Sequence, residues 1–272
     1  RDFNFATNAD QQIDIKTAQI DYNDYVGSVF LETGVKGSFI NSESKLDYFL
    51  NNNGSEFIPN LSDDYVYDES VYAAYFSFSK DWEKWTLKSG LRAEQTESTG
   101  ISQNVTSNNL NYLELFPSLY ILHHINENNS LSFDYSRKLQ RPRYEDLNPF
   151  RTYINERTFV EGNPNLMPSF SHNFNLNYTL NQEYFFDFYY RDNGQYISTL
   201  TFQDNENLVL RDITQNVLES TSFGLDFTYG KSISNYWYLY SYISLFHEDE
   251  TFIALQSTPY SYKNEYNGAY ID

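Results

Sequence analysis

A period of two in side-chain polarity runs through most of this chain and constrains its fold more than any other feature. In the segment HNFNLNYTLN, Phe174, Leu176, Tyr178 and Leu180 alternate with Asn and Thr. Successive side chains of a β-strand point to opposite faces, so this pattern gives a strand one apolar and one polar face. The same alternation recurs in SFGLDFTYG and LSFDYS. The spacing is typical of strands and does not fit helices.

Extended along the chain, the alternation predicts an all-β fold. It places strands at 10–23, 29–42, 67–80, 85–97, 112–125, 129–140, 169–181, 184–200, 212–230 and 236–253, with an eleventh beginning near 264. Many of these exceed the roughly 5 to 6 residues that are usual in soluble sheets. They reach the roughly 9 to 11 residues that a tilted strand needs to cross a bilayer.

The connections between these strands fall into two alternating kinds. Short polar turns (NDYVGS, DWEK, NENN, NQE and KSISN) alternate with longer segments at 43–66, 98–111, 141–168 and 254–263, and only the link around DNEN is ambiguous. Short turns on one side and long loops on the other are typical of an outer-membrane barrel. In a Greek-key sandwich, short and long connections are not expected to alternate along the chain. The pattern therefore predicts an antiparallel up-and-down transmembrane β-barrel.

Composition excludes several other classes. The formal charge of −19 repels phosphates, so no nucleic-acid partner is expected. The 26 Tyr and 22 Phe are far too many for a disordered chain. Cysteine is absent, which excludes disulfides and thiolate metal sites. The chain has no run of about 20 apolar residues, so no helical membrane span is predicted. Because the chain begins Arg1-Asp2-Phe3 without a signal region, we interpret it as an internal piece or a processed chain.

Tryptophan positions give a separate indication. Trp82, Trp85 and Trp237 all lie beside short turns. Tryptophan rings are enriched at membrane interfaces, so the three are expected to anchor the periplasmic interface. The alternative is that tryptophan simply favours strand ends.

The segments FDYSRKLQRPRYEDLNPF and FVEGNPNLMPSFSHNFNLNYTLN carry a spaced double motif. With this motif the chain resembles the TonB-dependent outer-membrane receptors, and specifically the Bacteroidota-type outer-membrane β-barrel family. The residues that carry the likeness are Tyr135, Ser136, Arg137, Arg141, Pro142, Leu147, Asn148, Pro149, Gly162, Asn163, Pro164, Asn165, Leu166 and Pro168.

The resemblance implies a barrel of about 22 strands with an N-terminal plug. Such a receptor lies in the outer membrane of a Gram-negative cell and imports a scarce ligand with energy from an inner-membrane complex. Residues 1–272 are then a partial barrel domain of ten to eleven strands that contains no plug. The expected partners are outer-membrane lipid and lipopolysaccharide, a surface lipoprotein, and the energy-coupling complex if the full-length protein has a plug. No cofactor is expected.

The motif itself admits two interpretations. Its prolines fix φ and remove N–H donors, which stops a strand ladder and stiffens the loop. Its clustered bases, Arg137, Lys138, Arg141 and Arg143, contact either an anionic ligand or partner, or acidic side chains that brace the rim. The bracing role is favoured because loop motifs usually hold shape. The candidate residues are Arg137, Arg141, Pro142, Asn148, Pro149, Gly162, Asn163, Pro164 and Pro168.

The polar positions of the alternating strands are expected to face the barrel lumen, where they line water or cradle a plug. They are Lys88, Arg92, Glu94, Asp134, Asp187, Arg191 and Asp226. Two acidic segments, SDDYVYDES and HEDE, lack EF-hand spacing and are interpreted as solvated loops, so no metal site is predicted. No local arrangement of His with Ser or Asp predicts catalysis, and the chain is not expected to be an enzyme.

Three functions follow, of which uptake of an unidentified ligand is favoured. The first alternative is a barrel of the same build that serves a structural or complex-forming role without transport. The second is a soluble carbohydrate-binding β protein that stacks sugars on aromatic rings. Binding platforms cluster their rings on one patch, whereas the rings here are spread along every strand, which favours a barrel.

Overall fold

In a computed structural model, the chain is described over residues 5–51, 55–59, 61–103, 105–255 and 259–272. Its main sheet contains eleven long strands and a short edge strand, β3 (Ser55–Phe57). The long strands are β1 (Phe5–Val26), β2 (Val29–Asn51), β4 (Asp63–Asp81), β5 (Trp85–Ser102), β6 (Val105–Asn126), β7 (Asn129–Gln140), β10 (Ser169–Leu180), β11 (Tyr184–Asp192), β14 (Glu219–Ser234), β15 (Trp237–Leu255) and β16 (Pro259–Ile271).

The eleven long strands pair in chain order, each antiparallel to the next, with β1 and β16 at the two ends. This is the up-and-down order that the alternation predicts. No helix in the described parts of the chain has the length and apolar character needed to cross a membrane.

A second, four-stranded sheet has the order β12-β13-β9-β8. Its strands are β8 (Arg151–Asn155), β9 (Thr158–Glu161), β12 (Ile197–Asp204) and β13 (Val209–Asn216). They come from two segments that leave the main sheet, residues 141–168 and residues 193–218, which we call the first and second excursions. A short helix, α1 (Tyr144–Leu147), also belongs to the first excursion. Parallel pairing of β9 with β13 joins the two excursions.

Two of the predicted strands were wrong at this point. The eighth was expected to run to residue 200 and the ninth to begin at 212, but β11 ends at Asp192 and β14 begins at Glu219. The intervening residues do form strands, yet they pair in the second sheet. Alternation reports that a segment is extended and does not report its partner. The ambiguous DNEN link is the turn between β12 and β13.

Two of the predicted long loops were also wrong. Residues 98–111 lie mostly in β5 and β6, which turn at Gln103, and residues 254–263 lie largely in β15 and β16. Much of 43–66 is likewise strand. In residues 98–111 most side chains are polar on both faces, so the two-residue period disappears from the sequence. The strands continue there beyond the stretch of apolar side chains that lies nearer the short turns, which we call the apolar band. The acidic segments SDDYVYDES and HEDE consequently lie mainly within β4 and β15, and the prediction of solvated loops was wrong.

The register divides the main sheet into two faces of different chemistry. On one face, Tyr135 opposes Phe174, which opposes Tyr190, which opposes Phe223 across four strands. Directly opposed residues share a face, so aromatic and aliphatic side chains form a continuous apolar face. On the other face, Ser, Asn and charged side chains dominate. We call these the apolar face and the polar face.

Turns on one side of the sheet are tight. Gly27, with a φ of +64°, lies in the two-residue turn between β1 and β2, where a left-handed backbone favours glycine. Asn181 and Gln182 adopt φ of 55° and 56° between β10 and β11. The excursions leave from the opposite side of the sheet.

Candidate functional site: the polar face and the segment folded over it

All seven polar residues expected to face a lumen lie on the polar face. The register carries this face from Arg92 and Glu94 on β5 through to Asp226 on β14. Several are held by neighbours on the same face. Asn175 Nδ2 donates to Asp134 Oδ2 at 2.6 Å, and Ser244 Oγ donates to Asp226 Oδ1 at 2.6 Å.

The remaining members of this set are less constrained. Asp187 lies directly opposite Asp226, which places two carboxylates side by side. The Arg191 guanidinium lies 4.8 Å from the ring centroid of Tyr189, and Lys88 is exposed. A face with both signs of charge and many amides and hydroxyls suits a watery interior.

The first excursion folds over the part of the polar face that lies farthest from the short turns, which we call its upper part, and is fixed there by the partly buried guanidinium of Arg141. Arg141 Nη2 lies 2.8 Å from Glu94 Oε2 and 3.0 Å from Thr96 Oγ1, and Arg141 Nε lies 3.7 Å from Glu69 Oε2. The side chains of Glu94 and Glu69 are only 11% and 5% exposed. Arg92 Nε contacts Glu94 Oε1 at 2.5 Å and completes the charge balance.

Polar contacts continue along the excursion beyond Arg141. Tyr48 on β2 donates its hydroxyl proton to the carbonyl oxygen of Arg151, and Asn108 on β6 donates through Nδ2 to the carbonyl oxygen of Pro164. Both side chains belong to the polar face by register. The excursion is therefore attached at its beginning, middle and end.

An apolar core lies beneath the same excursion. Leu147 of α1 and Leu166 are 2% and 0% exposed and pack with Tyr65 and Tyr67 of β4. This packing explains why the motif carries leucine at these two positions. Burial of these groups favours a folded excursion over a mobile one.

The two halves of the motif contact each other. The Asn163 N–H donates to the carbonyl oxygen of Asp146 at 2.6 Å, and a Cβ at Gly162 would overlap the carbonyl oxygen of Asn148. Asn148 Oδ1 accepts from the N–H of Phe150 at 3.1 Å. Only glycine permits this close approach of two backbone segments. Pro142 and Pro168 line one small cavity together with Arg141.

Arg137, the other base of the motif, holds the junction between β6 and β7. Its Nη1 donates to Glu114 Oε2 and to the carbonyl oxygen of Leu115, both at 2.7 Å. The guanidinium also lies 4.6 Å from the ring centroid of Phe170. Arg143 pairs within the excursion with Asp146 at 2.8 Å. These contacts are those of the bracing interpretation.

The second excursion is attached at the other end of the polar face. Tyr196 donates its hydroxyl proton to Glu250 Oε1 of β15 at 2.5 Å, and Gln215 Nε2 donates to the carbonyl oxygen of Ile253 at 2.8 Å. Burial and the contact with Glu250 raise the pKa of Tyr196, which keeps the hydroxyl protonated and donating. Asn216 bridges the excursions, because its amide accepts from the N–H and donates to the carbonyl of Met167, both at 2.9 Å.

The three tryptophans lie at the side of the short turns, as the sequence places them. Trp85 stacks on His123 with ring centroids 3.9 Å apart, and Lys80 Nζ lies 5.0 Å from the Trp82 ring centroid. Trp237 is 74% exposed. Across the described ranges, no group of three or more His, Asp or Glu side chains is arranged to hold a metal ion.

Comparison with known families identifies the kind of structure to which the main sheet with its eleven long strands, which we call the wall, belongs. A family model described as the outer membrane protein beta-barrel family matches residues 1–271. The chain belongs to this family. The predicted fold class and outer-membrane location are thereby confirmed, and the apolar face is the face that a barrel presents to lipid. The Bacteroidota-type assignment stays a prediction.

Solved structures with a similar fold include an uptake receptor and two transporters. The ferric yersiniabactin uptake receptor FyuA from Yersinia pestis is 10% identical, with a TM-score of 0.58 over 91% of this chain and 37% of the receptor. The copper transporter OprC is 12% identical, with a TM-score of 0.63 over 91% and 42%. The ferric citrate transporter FecA, without ligand, is 13% identical, with a TM-score of 0.57 over 90% and 37%.

These likenesses show the fold alone, since the identities are low. The chain spans 37 to 42% of the length of these three structures. No curated protein sequence matches it.

Sequence reasoning missed several residues that fix the excursions, namely Tyr48, Asn108, Tyr196 and Asn216. Their partners are backbone groups or carboxylates far away in sequence, and no local pattern marks them. The short alternating runs ISTLTFQD and VLRDITQN were a usable signal for the second sheet. Read as two separate short strands, they predict a hairpin but not the sheet in which it pairs.

Proposed function

We propose that this chain forms part of the wall of a TonB-dependent-type receptor that imports a ligand across the outer membrane. The observation that carries the proposal is the position of the first excursion. It lies on the polar face, on the side opposite the short turns, so in a closed barrel it would narrow the lumen from outside the cell. A barrel built only as a scaffold has no need of a folded segment over its interior.

The likeness to receptors supports the same proposal. FyuA, OprC and FecA are named for the uptake or transport of ferric yersiniabactin, copper and ferric citrate. The proposal requires that the full-length protein supplies the remaining strands of a barrel of about 22 strands. It also requires a plug and a segment that contacts the inner-membrane energy-coupling complex. The seven residues predicted to face the lumen then line the space around the plug.

The complete gene provides the first test. The proposal predicts a plug-encoding segment upstream of Arg1 and a similar number of additional strands. A gene that joins a signal peptide directly to Arg1, with no plug, contradicts uptake and leaves a barrel with a structural role.

Conductance in planar bilayers provides the second test. The full-length receptor is expected to show no steady conductance, because a plug closes it, and removal of the plug segment should open a large pore. Replacing residues 143–165 by a short turn in the plug-free barrel should raise the conductance further. Unchanged conductance would place the first excursion outside the lumen and contradict the proposal.

A further inference from the structure

In its upper half, from Val105 to Pro117, β6 is paired with another strand on one side only. Its ladder with β5 runs up to the pair Val105 and Ser102, whereas its ladder with β7 ends at the pair Ser118 and Ser136. Above Gln140, the chain of β7 leaves the wall as the first excursion. Within the described ranges, no strand pairs with β6 along this edge, so the wall contains a gap beside it.

Two residues define the lower end of this gap. Pro117 has no N–H to donate at the point where the ladder with β7 stops. Just above it, the carbonyl oxygen of Leu115 accepts from the Arg137 side chain in place of a strand. The ladder therefore ends at a fixed position and does not fray gradually.

Alternation shows which backbone groups face the gap. The N–H of His124 donates to the carbonyl oxygen of Lys84, on the side of β5. Backbone groups of successive residues point to opposite edges of a strand, so even-numbered residues of β6 face β5 and odd-numbered residues face the gap. The carbonyl of Leu115 fits this assignment. Asn109, Asn111 and Leu113 thus present N–H and C=O groups to the gap.

The outer side of this edge is accessible. Leu113 and Leu115, whose side chains lie on the apolar face, are 63% and 49% exposed. The first excursion crosses on the polar face, where Asn108 holds the carbonyl oxygen of Pro164. Among the described residues, no backbone hydrogen bond from a turn or loop reaches Asn109, Asn111 or Leu113. A long strand edge whose backbone N–H and C=O groups are accessible and unpaired is a template for another strand.

We propose that this edge binds an extended segment of a partner polypeptide, which adds to β6 as a strand. A peptide is the occupant that supplies alternating donors and acceptors at the spacing of a strand, which a lipid chain cannot do. The surrounding charge specifies its side chains. Glu97 of β5 lies opposite Asn111 and is the acid nearest the edge. Together with the strands beyond it, the outward side of β5, β4, β2 and β1 above the apolar band carries seven acids and two lysines, Lys16 and Lys45. The acids are Asp10, Asp14, Glu43, Asp47, Asp64, Asp68 and Glu97. The partner segment therefore carries Lys or Arg on its outward side.

Hydrogen exchange of the full-length protein in lipid nanodiscs tests the edge directly. Without a partner, the amides of Asn111 and Leu113 should exchange roughly tenfold or more faster than those of Tyr112 and Glu114, which bond to β5. The probe is a synthetic eight-residue peptide of alternating Lys and Val. It should slow exchange at Asn111 and Leu113, whereas the same peptide with alternate backbone nitrogens methylated, or with Glu in place of Lys, should not.

Matched variants at one position separate backbone pairing from side-chain contact. Leu113→Pro removes a donor on the gap side and should abolish protection by the peptide, whereas Leu113→Ala keeps the donor and should retain it. Slow exchange at Asn111 and Leu113 without peptide would show that the edge is already covered and would overturn the proposal. Equal protection by the methylated peptide, peptide protection that survives in Leu113→Pro, or protection that depends only on the nanodisc lipid would overturn it as well.

Discussion

The wall and the excursions of this chain are held together by different means. In the wall, each long strand bonds to the next long strand along the chain, and the two faces follow from a period of two. In the excursions, single side chains reach partners 38 to 103 residues away, such as Gln215 to Ile253 and Tyr48 to Arg151. The comparison teaches that the wall tolerates change wherever polarity is kept, whereas the excursions depend on individual residues.

The largest expected effect is the removal of the Arg141 guanidinium. Arg141→Ala leaves the buried Glu69 carboxylate without a cation, whereas Glu94 keeps its contact with Arg92. Breaking a buried pair costs at most about 3 to 5 kcal/mol. In the full-length receptor, the first excursion should detach and become sensitive to protease. The barrel should stay folded, which is measured as a difference in gel migration between unheated and heated samples.

Arg143→Ala is the control for that variant. The Arg143 side chain is 72% exposed and pairs within the excursion, so its loss should cost less than about 1 kcal/mol. Equal protease sensitivity in the two variants would show that Arg141 does not anchor the excursion.

A charge introduced on the apolar face should have the next largest effect, and it tests the assignment of the two faces of the wall. Phe76→Arg places a guanidinium where the side chain is expected to meet lipid, which costs roughly 2 to 4 kcal/mol near the bilayer midplane. The folded fraction after refolding into lipid, measured on a gel across a urea series, should fall.

Ser77→Arg is the matched control, since Ser77 is the next residue and lies on the polar face, 3.2 Å from Glu32 Oε2. It should fold almost as well as the unchanged chain. If both arginines were equally harmful, the assignment of the two faces would be wrong.

Gly162 provides a smaller test of the excursion. In Gly162→Ala, the added Cβ overlaps the carbonyl oxygen of Asn148, and overpacking of this kind costs about 1 to 3 kcal/mol. Gly37→Ala in β2 is the control, because its Cβ would lie 3.6 Å from the Phe39 ring, an ordinary contact. Thermal unfolding should show a loss for the first variant and little change for the second. The reverse order would contradict the close approach at Gly162.

The smallest expected effect concerns the bridge between the excursions. Asn216→Ala removes the paired hydrogen bonds to Met167 and should cost about 1 kcal/mol or slightly more. Protease cleavage in the first excursion should become faster. Asn207→Ala, whose side chain contacts Asp204 in its own turn, should leave that rate unchanged. Equal rates in the two variants would mean that the excursions are not coupled through Asn216.

The sequence predicts the wall well because the wall is built from local rules. Alternation locates the long strands and assigns Arg92, Asp134 and Asp226 to one face, since register follows from neighbouring turns. It fails above the apolar band, where both faces meet polar surroundings, as in 98–111. It also fails for β12 and β13, because extended segments of equal pattern pair with different sheets. The partners of Arg141 could not be predicted, since Glu69 lies on β4 and Glu94 and Thr96 lie on β5, all far from Arg141 in sequence.

The most direct test of the two-faced wall is a spin-label scan along β4 in the full-length protein. The chain contains no cysteine, so single cysteines from Tyr72 to Ser79 can each be labelled without a background from this region. The accessibility to oxygen and to a water-soluble nickel reagent is then measured in lipid. We predict that even-numbered positions favour oxygen and odd-numbered positions favour nickel, with a period of two. Equal accessibility at neighbouring positions, or a period near 3.6, would contradict the account.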